Sequence, residues 1–283
     1  MAKVIFIDEN KCTGCKLCGE ACSRSLFSYD GVAKVDANEI NCMQCNQCVA
    51  ICPTGAISAA AGDEPIEYNK EKMTVNPENM LGLIKFRRST RAFLDKKIER
   101  EKIERVLEAA KYAPTGNNRA LLRYLVFDDK IEEYREAFLK ELKQVAIELP
   151  AGSPLISAPT DEQREAKRQR MMRFYDSYKE EGKDKLTFLA PCMIIMLADK
   201  TQGGRPLWDS GIASAYMELQ AVAEGLGVCY LGFAMTALEN SKKLQEMIGM
   251  KDNEMPAGIL VMGYPKYKYQ RTAPRVERPT NWL

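Results

Sequence analysis

Eight of the ten cysteines fall within the first 52 residues, and their spacing constrains this chain more than any other feature. They form two C-x2-C-x2-C-x3-C runs, the second displaced by 30 residues from the first. Three thiolates separated by two-residue gaps can wrap one corner of a metal–sulfur cube, whereas the fourth ligand must come from elsewhere in the chain. The duplicated run can supply that ligand. The runs comprise Cys12, Cys15, Cys18 and Cys22, and then Cys42, Cys45, Cys48 and Cys52.

Residues 1–60 resemble a bacterial two-cluster ferredoxin over their whole length. In that family the fourth cysteine of each run binds the other cluster. The resemblance implies two [4Fe–4S] clusters in a small βαββαβ domain over residues 1–62. We expect the short segments after each cysteine run to be the helices of this domain. One departure is that Ser23 follows the first run, where Pro53 follows the second. The implied ligand sets are Cys12, Cys15, Cys18 and Cys52 for cluster 1, and Cys42, Cys45, Cys48 and Cys22 for cluster 2.

Two other uses of the cysteines compete with iron–sulfur clusters. Zinc binds thiolates equally well, but a four-ligand zinc site has no use for three close ligands and a displaced fourth. A disulfide framework is typical of secreted proteins, and the MAKVIFIDEN start carries charges where a signal peptide needs an apolar stretch. We therefore expect clusters, and a cytoplasmic protein.

Composition narrows the function classes further. The chain has a net charge of +2, which gives no electrostatic reason to bind nucleic acid. Its longest nearly apolar stretch, residues 189–198, is too short to span a bilayer. The chain contains no histidine, which excludes His-based catalytic triads, imidazole metal ligands and Rieske centres. We expect no nucleic-acid or membrane partner.

The chain after residue 62 predicts a linker over 63–80 and then a larger domain over 81–283. Alternating helical and strand patterns indicate an α+β fold with helices around one sheet. Neither a Walker A loop nor a G-x-G-x-x-G fingerprint is present, since the nearest match, residues 225–232, follows a helix rather than a strand. Predicted helices span 98–112, 132–148 and 209–224, and predicted strands span 121–127, 190–198 and 259–263.

Four stretches in this second domain together resemble the nitroreductase family of FMN enzymes. Each stretch alone also fits a plainer role, such as a basic helix start, a turn or a helix end. Their common order favours the family, which implies an FMN-binding homodimer. The stretches are residues 87–93 (RRSTRAF), 113–118 (APTGNN), 225–232 (GLGVCYLG) and the tail with Gly263-Tyr264-Pro265 and residues 271–275 (RTAPR).

The resemblance also implies which residues hold FMN. Guanidinium groups bind phosphate oxygens bidentately, and the resemblance gives that role to two arginines near the C-terminus. A cation near the flavin pyrimidine stabilises the reduced ring, and Arg91 resembles that residue. In the family the APTGNN loop reaches the partner subunit's flavin, and a backbone amide near Leu231 meets flavin N5. The implied FMN residues are Arg87, Arg88, Ser89, Arg91, Pro114, Thr115, Gly116, Asn118, Leu231, Gly232, Arg271 and Arg275.

The sequence leaves some features open. The polar segment 161–185 fits either an exposed helix with one apolar stripe or a lid over the flavin. Lys183 or Lys185 could also contact the isoalloxazine ring. Cys192 and Cys229 fit core packing, although Cys229 could line the flavin site. After APTGNN, Ala120, Leu121 and Leu122 lie where many members have a Gln-Pro-Trp-like stretch, so the usual side-chain contacts there are not expected, whereas FMN binding still is.

The expected function is a ferredoxin-fed flavoprotein reductase. The clusters pass electrons to FMN, whose N5 reduces a small organic acceptor such as a nitroaromatic, a quinone or an activated alkene. The external donor could be a ferredoxin, a flavodoxin or NAD(P)H. No catalytic side chain is identified. The alternatives are an electron carrier or redox sensor without turnover, and an FMN enzyme of other chemistry such as reductive dehalogenation.

Overall fold

A computed structural model describes residues 2–283 and divides the chain into two compact units. The first comprises the chain up to Val75 together with Thr115–Ala120. The second comprises Asn76–Pro114 and Leu121–Leu283. The boundary after Val75 lies inside the predicted linker 63–80, and helical residues occur within that segment. The predicted domain limits stay a prediction.

The first unit has the predicted βαββαβ order, built as two antiparallel strand pairs. The outer strands pair with Ile5 opposite Ala59, and the inner strands pair with Phe27 opposite Val35. Its small core contains Val4, Ile5, Ala33, Ala37 and Ile57. The elements are β1 (Ile5–Ile7), α1 (Leu17–Glu20), β2 (Phe27–Asp30), β3 (Val32–Val35), α2 (Gln47–Ile51), β4 (Ile57–Ala59) and the peripheral helix α3 (Lys70–Met73).

The two short helices of this unit lie inside the cysteine runs. The sequence placed them after each run, and that prediction was wrong. Lys16 and Asn46 adopt left-handed backbone conformations immediately before α1 and α2. The helices therefore start before the third cysteine of each run, so that Cys18 and Cys48 are helical residues.

The second unit is built on one antiparallel sheet in the strand order β5-β6-β8-β7. It confirms the α+β fold class with helices around a single sheet. Its elements are α4 (Pro77–Phe86), α5 (Arg100–Lys111), β5 (Leu122–Phe127), α6 (Ile131–Glu148), α7 (Asp161–Glu181), β6 (Cys192–Asp199), α8 (Pro206–Ala223), β7 (Gly227–Tyr230), α9 (Gly232–Asn240), α10 (Lys242–Met247) and β8 (Glu254–Gly263).

Both faces of this sheet are covered. Side chains alternate between the faces of a strand, and β6 shows the consequence. Met193, Ile195 and Leu197 pack in one core with α6, α7, α9 and α10, whereas Ile194 and Met196 pack in a second core with α5 and α8. Because neither face meets water, β6 is apolar along nearly its whole length, which is why the sequence identified it.

Helix α7 occupies the polar segment whose role the sequence left open. Most of its side chains are polar, but Met171 and Phe174 are buried against the first of these cores. Tyr175 and Tyr178 pack partly against the same core. These contacts are those expected of an exposed helix with one apolar stripe. None of the helices within residues 2–283 has the length and apolar character needed to cross a bilayer.

Helix α4 directly precedes the RRSTRAF stretch. The Asn76 side chain accepts hydrogen bonds from the backbone N–H groups of Glu78 and Asn79, and Pro77 is the first helical residue. Both features are typical of helix starts. The helix ends at Phe86, and Arg87 already has an extended backbone. The basic stretch therefore follows a helix instead of starting one.

Candidate cofactor sites

One cavity in the first unit is lined by cysteines from both runs. Its cysteine lining consists of Cys22 from the first run and Cys42, Cys45 and Cys48 from the second. This is the set predicted for cluster 2, including the displaced fourth cysteine. We call this cavity the cluster 2 site.

The cysteines that line a second cavity are Cys12, Cys15, Cys18 and Cys52. This is the set predicted for cluster 1, and we call the cavity the cluster 1 site. Among residues 2–283, no three acidic or cysteine side chains converge closely enough to hold a single metal ion. Each group of four thiols surrounds a space instead, which fits a multi-atom cluster.

Backbone N–H groups point at the cysteine sulfurs in both sites. Ala33 donates to Cys12 Sγ at 3.3 Å and Ala56 donates to Cys52 Sγ at 3.2 Å in the cluster 1 site. The Gln44 N–H donates to Cys42 Sγ at 3.3 Å in the cluster 2 site. Such donors stabilise the negative charge of a thiolate-bound cluster and tune its potential. The donor set and the two cavities therefore fit iron–sulfur clusters.

Tyr29 is a neighbour of the cluster 1 site that the sequence did not indicate. Its hydroxyl lies 3.5 Å from Cys18 Sγ and donates to the Lys16 carbonyl at 3.1 Å. Gly19 makes room for it, since a Cβ there would lie 2.2 Å from the Tyr29 hydroxyl. A sequence pattern could not reveal this fit, because it depends on β2 crossing close to α1.

In the second unit, the RRSTRAF and GLGVCYLG stretches lie side by side. Ser89 forms a parallel bridge with Val228 of β7, and the Thr90 N–H donates to the Val228 carbonyl at 2.8 Å. Gly227 permits this approach, because a Cβ there would lie 2.2 Å from Thr90 Oγ1. The structure thus brings together two of the stretches from which FMN contacts were predicted.

Arg88 has a buried donor group with no protein acceptor. Its Nη1 donates to the Arg87 carbonyl at 2.7 Å and to the Lys85 carbonyl at 3.2 Å. Its Nη2 is buried and has no hydrogen-bond partner within residues 2–283. A buried, unpaired donor costs about 1–3 kcal/mol and more when charged, so a missing acceptor is the expected explanation. An anionic cofactor group meets that requirement.

Arg87 has a protein partner, which the sequence did not suggest. Its Nη1 lies 3.2 Å from Glu218 Oε1 of α8, and the Glu218 side chain is only 8% exposed. Burial raises the pKa of Glu218, whereas the Arg87 guanidinium acts in the opposite direction. Burial also raises the pKa of nearby Tyr230 to about 12, and its hydroxyl donates to the Ser214 carbonyl. Arg87 therefore compensates a buried carboxylate in this structure.

Arg91 lies over the Phe188 ring, with 6.0 Å between its guanidinium carbon and the ring centroid. Phe188 and Leu189 both have positive φ angles, which side chains other than glycine adopt at a cost. The buried Asp184 carboxylate holds this turn by accepting backbone N–H groups, including that of Leu189 at 2.9 Å. Such strain persists where the surroundings enforce it. The turn thereby fixes the ring beneath Arg91.

The remaining predicted residues lie in several places. The Leu231 N–H donates to the Ile259 carbonyl at 2.9 Å, whereas Gly232 begins α9, where N–H groups lack intrahelical partners. Arg271 and Arg275 are exposed in the tail after β8.

The residues whose role the sequence left open, and the APTGNN loop, lie elsewhere. Lys183 pairs with Glu181, and Cys192 and Cys229 are buried, with pKa values raised by burial. Pro114 lies in the second unit, and Thr115, Gly116 and Asn118 lie in the first.

Comparison with known families agrees with this two-part organisation. A sequence model described as the nitroreductase family matches residues 84–264. The chain belongs to the nitroreductase family. A second model, described as a 4Fe-4S dicluster domain, matches residues 11–56. Both resemblances seen in the sequence are thereby confirmed, including the domain type that holds two [4Fe–4S] clusters.

Individual relatives match one part of the chain or the other. A ferredoxin of Methanothermococcus thermolithotrophicus is 41% identical over 56 residues, which are 19% of this chain and 93% of the relative. A protein of Archaeoglobus fulgidus, provisionally named NADH dehydrogenase/NAD(P)H nitroreductase, is 25% identical over 67% of this chain and 87% of its own length. An uncharacterized protein of Methanocaldococcus jannaschii is 36% identical over 55 residues, and the chain spans only 20% of its length.

Two solved structures show the same fold as the second unit. A nitroreductase with bound FMN from Desulfitobacterium hafniense is 22% identical, with a TM-score of 0.53 over 74% of this chain and 100% of its own. A nitroreductase with bound FMN from Bacteroides fragilis is 20% identical, with a TM-score of 0.53 over 74% of this chain and 99% of its own. They support the nitroreductase fold, and the individual FMN residues named above stay predictions.

Proposed function

We propose that this chain is an FMN-dependent oxidoreductase of the nitroreductase family that receives its electrons through two [4Fe–4S] clusters. The observation that carries the proposal is the presence, on one chain, of a 4Fe-4S dicluster domain and a nitroreductase domain. Linking two redox modules covalently makes transfer between them intramolecular and raises their effective concentration. A nitroaromatic, a quinone or an activated alkene is the proposed class of acceptor.

Three features of the second unit support FMN as its cofactor. The buried Arg88 Nη2 lacks an acceptor, which an anionic group of the cofactor would supply. The RRSTRAF and GLGVCYLG stretches are hydrogen-bonded to each other through Thr90 and Val228. Arg91, within RRSTRAF, is held over the fixed Phe188 ring, and its positive charge also acts on Cys229 of GLGVCYLG. Bound FMN supplies the two-electron chemistry, while these residues provide position and electric field.

The chain's own residues then have distinct roles. Arg88 and Ser89 would bind FMN oxygens, and Gly232 would offer a backbone N–H at the start of α9. Arg87 keeps the buried Glu218 carboxylate compensated, so that this negative charge would oppose reduction of a bound flavin less. The backbone N–H groups that donate to the sulfurs of Cys12, Cys42 and Cys52 would stabilise negative charge on bound clusters. The proposed homodimer would bring the family's two flavin sites together at its interface.

The first test is cofactor stoichiometry in anaerobically purified protein, with iron, acid-labile sulfide and released flavin measured per chain. Two four-iron clusters predict about eight irons, and the proposal predicts one FMN. We expect Arg88→Ala to lower FMN retention at unchanged iron content. Arg100→Ala provides the matched control, because Arg100 is an exposed arginine of the same unit that pairs with Asp128. Full iron without flavin, even after FMN is added, would reject the proposal.

Turnover distinguishes a reductase from an electron carrier or redox sensor. The dithionite-reduced protein is mixed with excess nitroaromatic or quinone while a donor is supplied continuously. A reductase consumes many equivalents of acceptor per chain, and Arg88→Ala reduces that rate in proportion to its lost FMN. A single stoichiometric oxidation, with no continued consumption, would identify a carrier or sensor instead. Product analysis on halogenated acceptors separates reductive dehalogenation from nitro or quinone reduction.

A further inference from the structure

The short segment Thr115–Ala120 packs with the first unit, although the chain on either side of it belongs to the second. Asn118 contributes two hydrogen bonds to this packing. The Asn118 Nδ2 donates to the Gln44 carbonyl at 2.9 Å and to the Met43 carbonyl at 3.4 Å. Met43 and Gln44 lie between Cys42 and Cys45 in the cluster 2 site. A side chain from outside the cysteine runs therefore holds the loop between two cluster 2 cysteines.

The second cysteine run needs this support more than the first. Gln44 has a φ of 51°, in the left-handed region. The equivalent position of the first run is Gly14, with a φ of 68°. Glycine adopts this conformation without a steric cost, whereas another residue pays about 1–2 kcal/mol. The Asn118 hydrogen bonds offset that cost at the one run that lacks the glycine.

The Asn118 hydrogen bonds also orient the Gln44 N–H, which donates to a cysteine of the cluster 2 site. The peptide between Met43 and Gln44 is planar and trans, so its carbonyl and its N–H point in opposite directions. The carbonyl accepts from Asn118, and the N–H donates to Cys42 Sγ at 3.3 Å. Fixing the carbonyl side therefore aims the N–H at the sulfur. This arrangement links Asn118 to the cluster through a single peptide unit.

We propose that Asn118 is a positioning residue for cluster 2 and raises its reduction potential. An N–H directed at a cluster sulfur stabilises the additional negative charge of the reduced state, and hydrogen bonds to sulfur are an established determinant of cluster potential. Without Asn118, the Met43–Gln44 peptide relaxes from its strained conformation and the N–H···S bond weakens. Cluster 2 then becomes harder to reduce. The proposal depends on the [4Fe–4S] assignment and is independent of FMN binding.

The geometry of the segment agrees with this role. Asn117, Asn118 and Ala120 all have positive φ angles, and the Ala120 N–H donates to Thr115 Oγ1 at 3.1 Å. Strained backbone of this kind is retained where it serves a function. The resemblance implied that Asn118 contacts flavin. That contact stays a prediction, and in this structure the Asn118 amide donates to two carbonyls of the cluster 2 loop.

The test is a potentiometric titration of the anaerobic holoprotein, followed by electron paramagnetic resonance. Asn118→Ala is compared with Asn117→Ala, which removes a neighbouring asparagine that also has a left-handed backbone. For Asn118→Ala we expect the reduced-to-oxidised ratio of cluster 2 at a fixed potential to fall several-fold. A tenfold fall would correspond to about 59 mV for one electron. Asn117→Ala leaves both clusters unchanged.

Two further variants keep the result interpretable. In a Cys22→Ser background, which retains the cluster 1 site alone, Asn118→Ala leaves the remaining potential unchanged. Adding Gln44→Gly to Asn118→Ala restores the potential of cluster 2, because glycine holds the turn without help. Loss of iron from cluster 2 alone in Asn118→Ala, reversed by Gln44→Gly, supports the same role. An unchanged potential, an equal shift of both clusters, or a shift that Gln44→Gly fails to reverse would overturn the proposal.

Discussion

Replacement of Arg135 by methionine tests a fully buried ion pair of the second unit. The Arg135 side chain is 1% exposed, and its Nε lies 3.2 Å from a carboxylate oxygen of Asp184, whose side chain is 0% exposed. The guanidinium also donates to Thr187 Oγ1 at 2.9 Å and to the Ala190 carbonyl at 2.7 Å. Methionine preserves most of the side-chain volume, so the substitution removes charge and hydrogen bonds while limiting the cavity.

The expected loss of folding stability in Arg135→Met follows from the Asp184 charge that remains buried. Removing one member of a buried ion pair costs about 3–5 kcal/mol, because the other charge stays uncompensated. Asp184 keeps backbone N–H donors from Leu186, Thr187 and Leu189, which favours the lower end of that range. For a domain of this size, a loss of about 3 kcal/mol lowers the melting temperature by about 6–12 °C. The Phe188 turn beneath Arg91 loosens as well, so FMN retention should fall.

The assay is thermal unfolding of anaerobic holoprotein, followed by circular dichroism at one protein concentration. Lys179→Met is the control, because it breaks a 3.0 Å ion pair with Glu136 in which the side chains are 50% and 46% exposed. Such surface pairs contribute about 0–1 kcal/mol. Adding Asp184→Asn to Arg135→Met should recover part of the loss, since the buried charge is gone. A melting temperature for Arg135→Met within about 2 °C of the wild type would refute this reasoning.

Two further predictions concern the clusters and the pH dependence of stability. Cys22→Ser removes the displaced ligand of the cluster 2 site, so we expect iron per chain to fall by about half while cluster 1 persists. The control Ser23→Ala should leave the iron content unchanged. Equal loss of iron from both clusters in Cys22→Ser would contradict the ligand assignment. The Arg123 guanidinium, in contact with Glu254 Oε1 and Oε2 at 2.6 Å each, lowers the pKa of that carboxyl. Because the pKa of Glu254 is lower in the folded protein than its ordinary value of 4.5, the ionised carboxylate stabilises the fold at pH values above 4.5. This stabilisation is lost as the pH falls from 4.5 toward the lowered pKa. Glu254→Gln should therefore flatten the fall in urea midpoint below about pH 4.5, and an unaltered slope would count against the pair.

The sequence predicted the organisation of the chain better than its detailed contacts. The duplicated cysteine spacing indicated both clusters, and the apolar run from Cys192 indicated a buried strand, because both signals are local. The early start of α1 and α2 was missed, since neither preceding position is a glycine: Lys16 seldom adopts a left-handed backbone, and Asn46 does so more readily but is found as often in other conformations. Strand β2 was not located individually, because its Phe27–Asp30 segment is short and half exposed.

The candidate sites depend more on contacts between distant residues. Glu218 lies 131 positions from Arg87, and Asn118 lies 74 positions from Gln44. Neither pairing leaves a periodic or spaced pattern, since each is created by how the surrounding elements pack. The resemblance to a family therefore indicated which stretches matter. It could not indicate that Arg87 compensates a buried carboxylate or that Asn118 contacts the cluster 2 loop.

The exchange of one cysteine between the two runs also affects the order in which the protein can be assembled. Each cavity is lined by cysteines from both runs, with Cys52 in one and Cys22 in the other. A chain emerging from the ribosome cannot complete the cluster 1 site until Cys52 has been synthesised, although its first three ligands appear within the first 18 residues. Iron delivered earlier would meet an incomplete set of thiols. On the predicted ligand sets, insertion of cluster 1 is therefore expected to wait for synthesis of nearly the whole ferredoxin-like region, and the cluster 2 site, complete at Cys48, forms only slightly earlier.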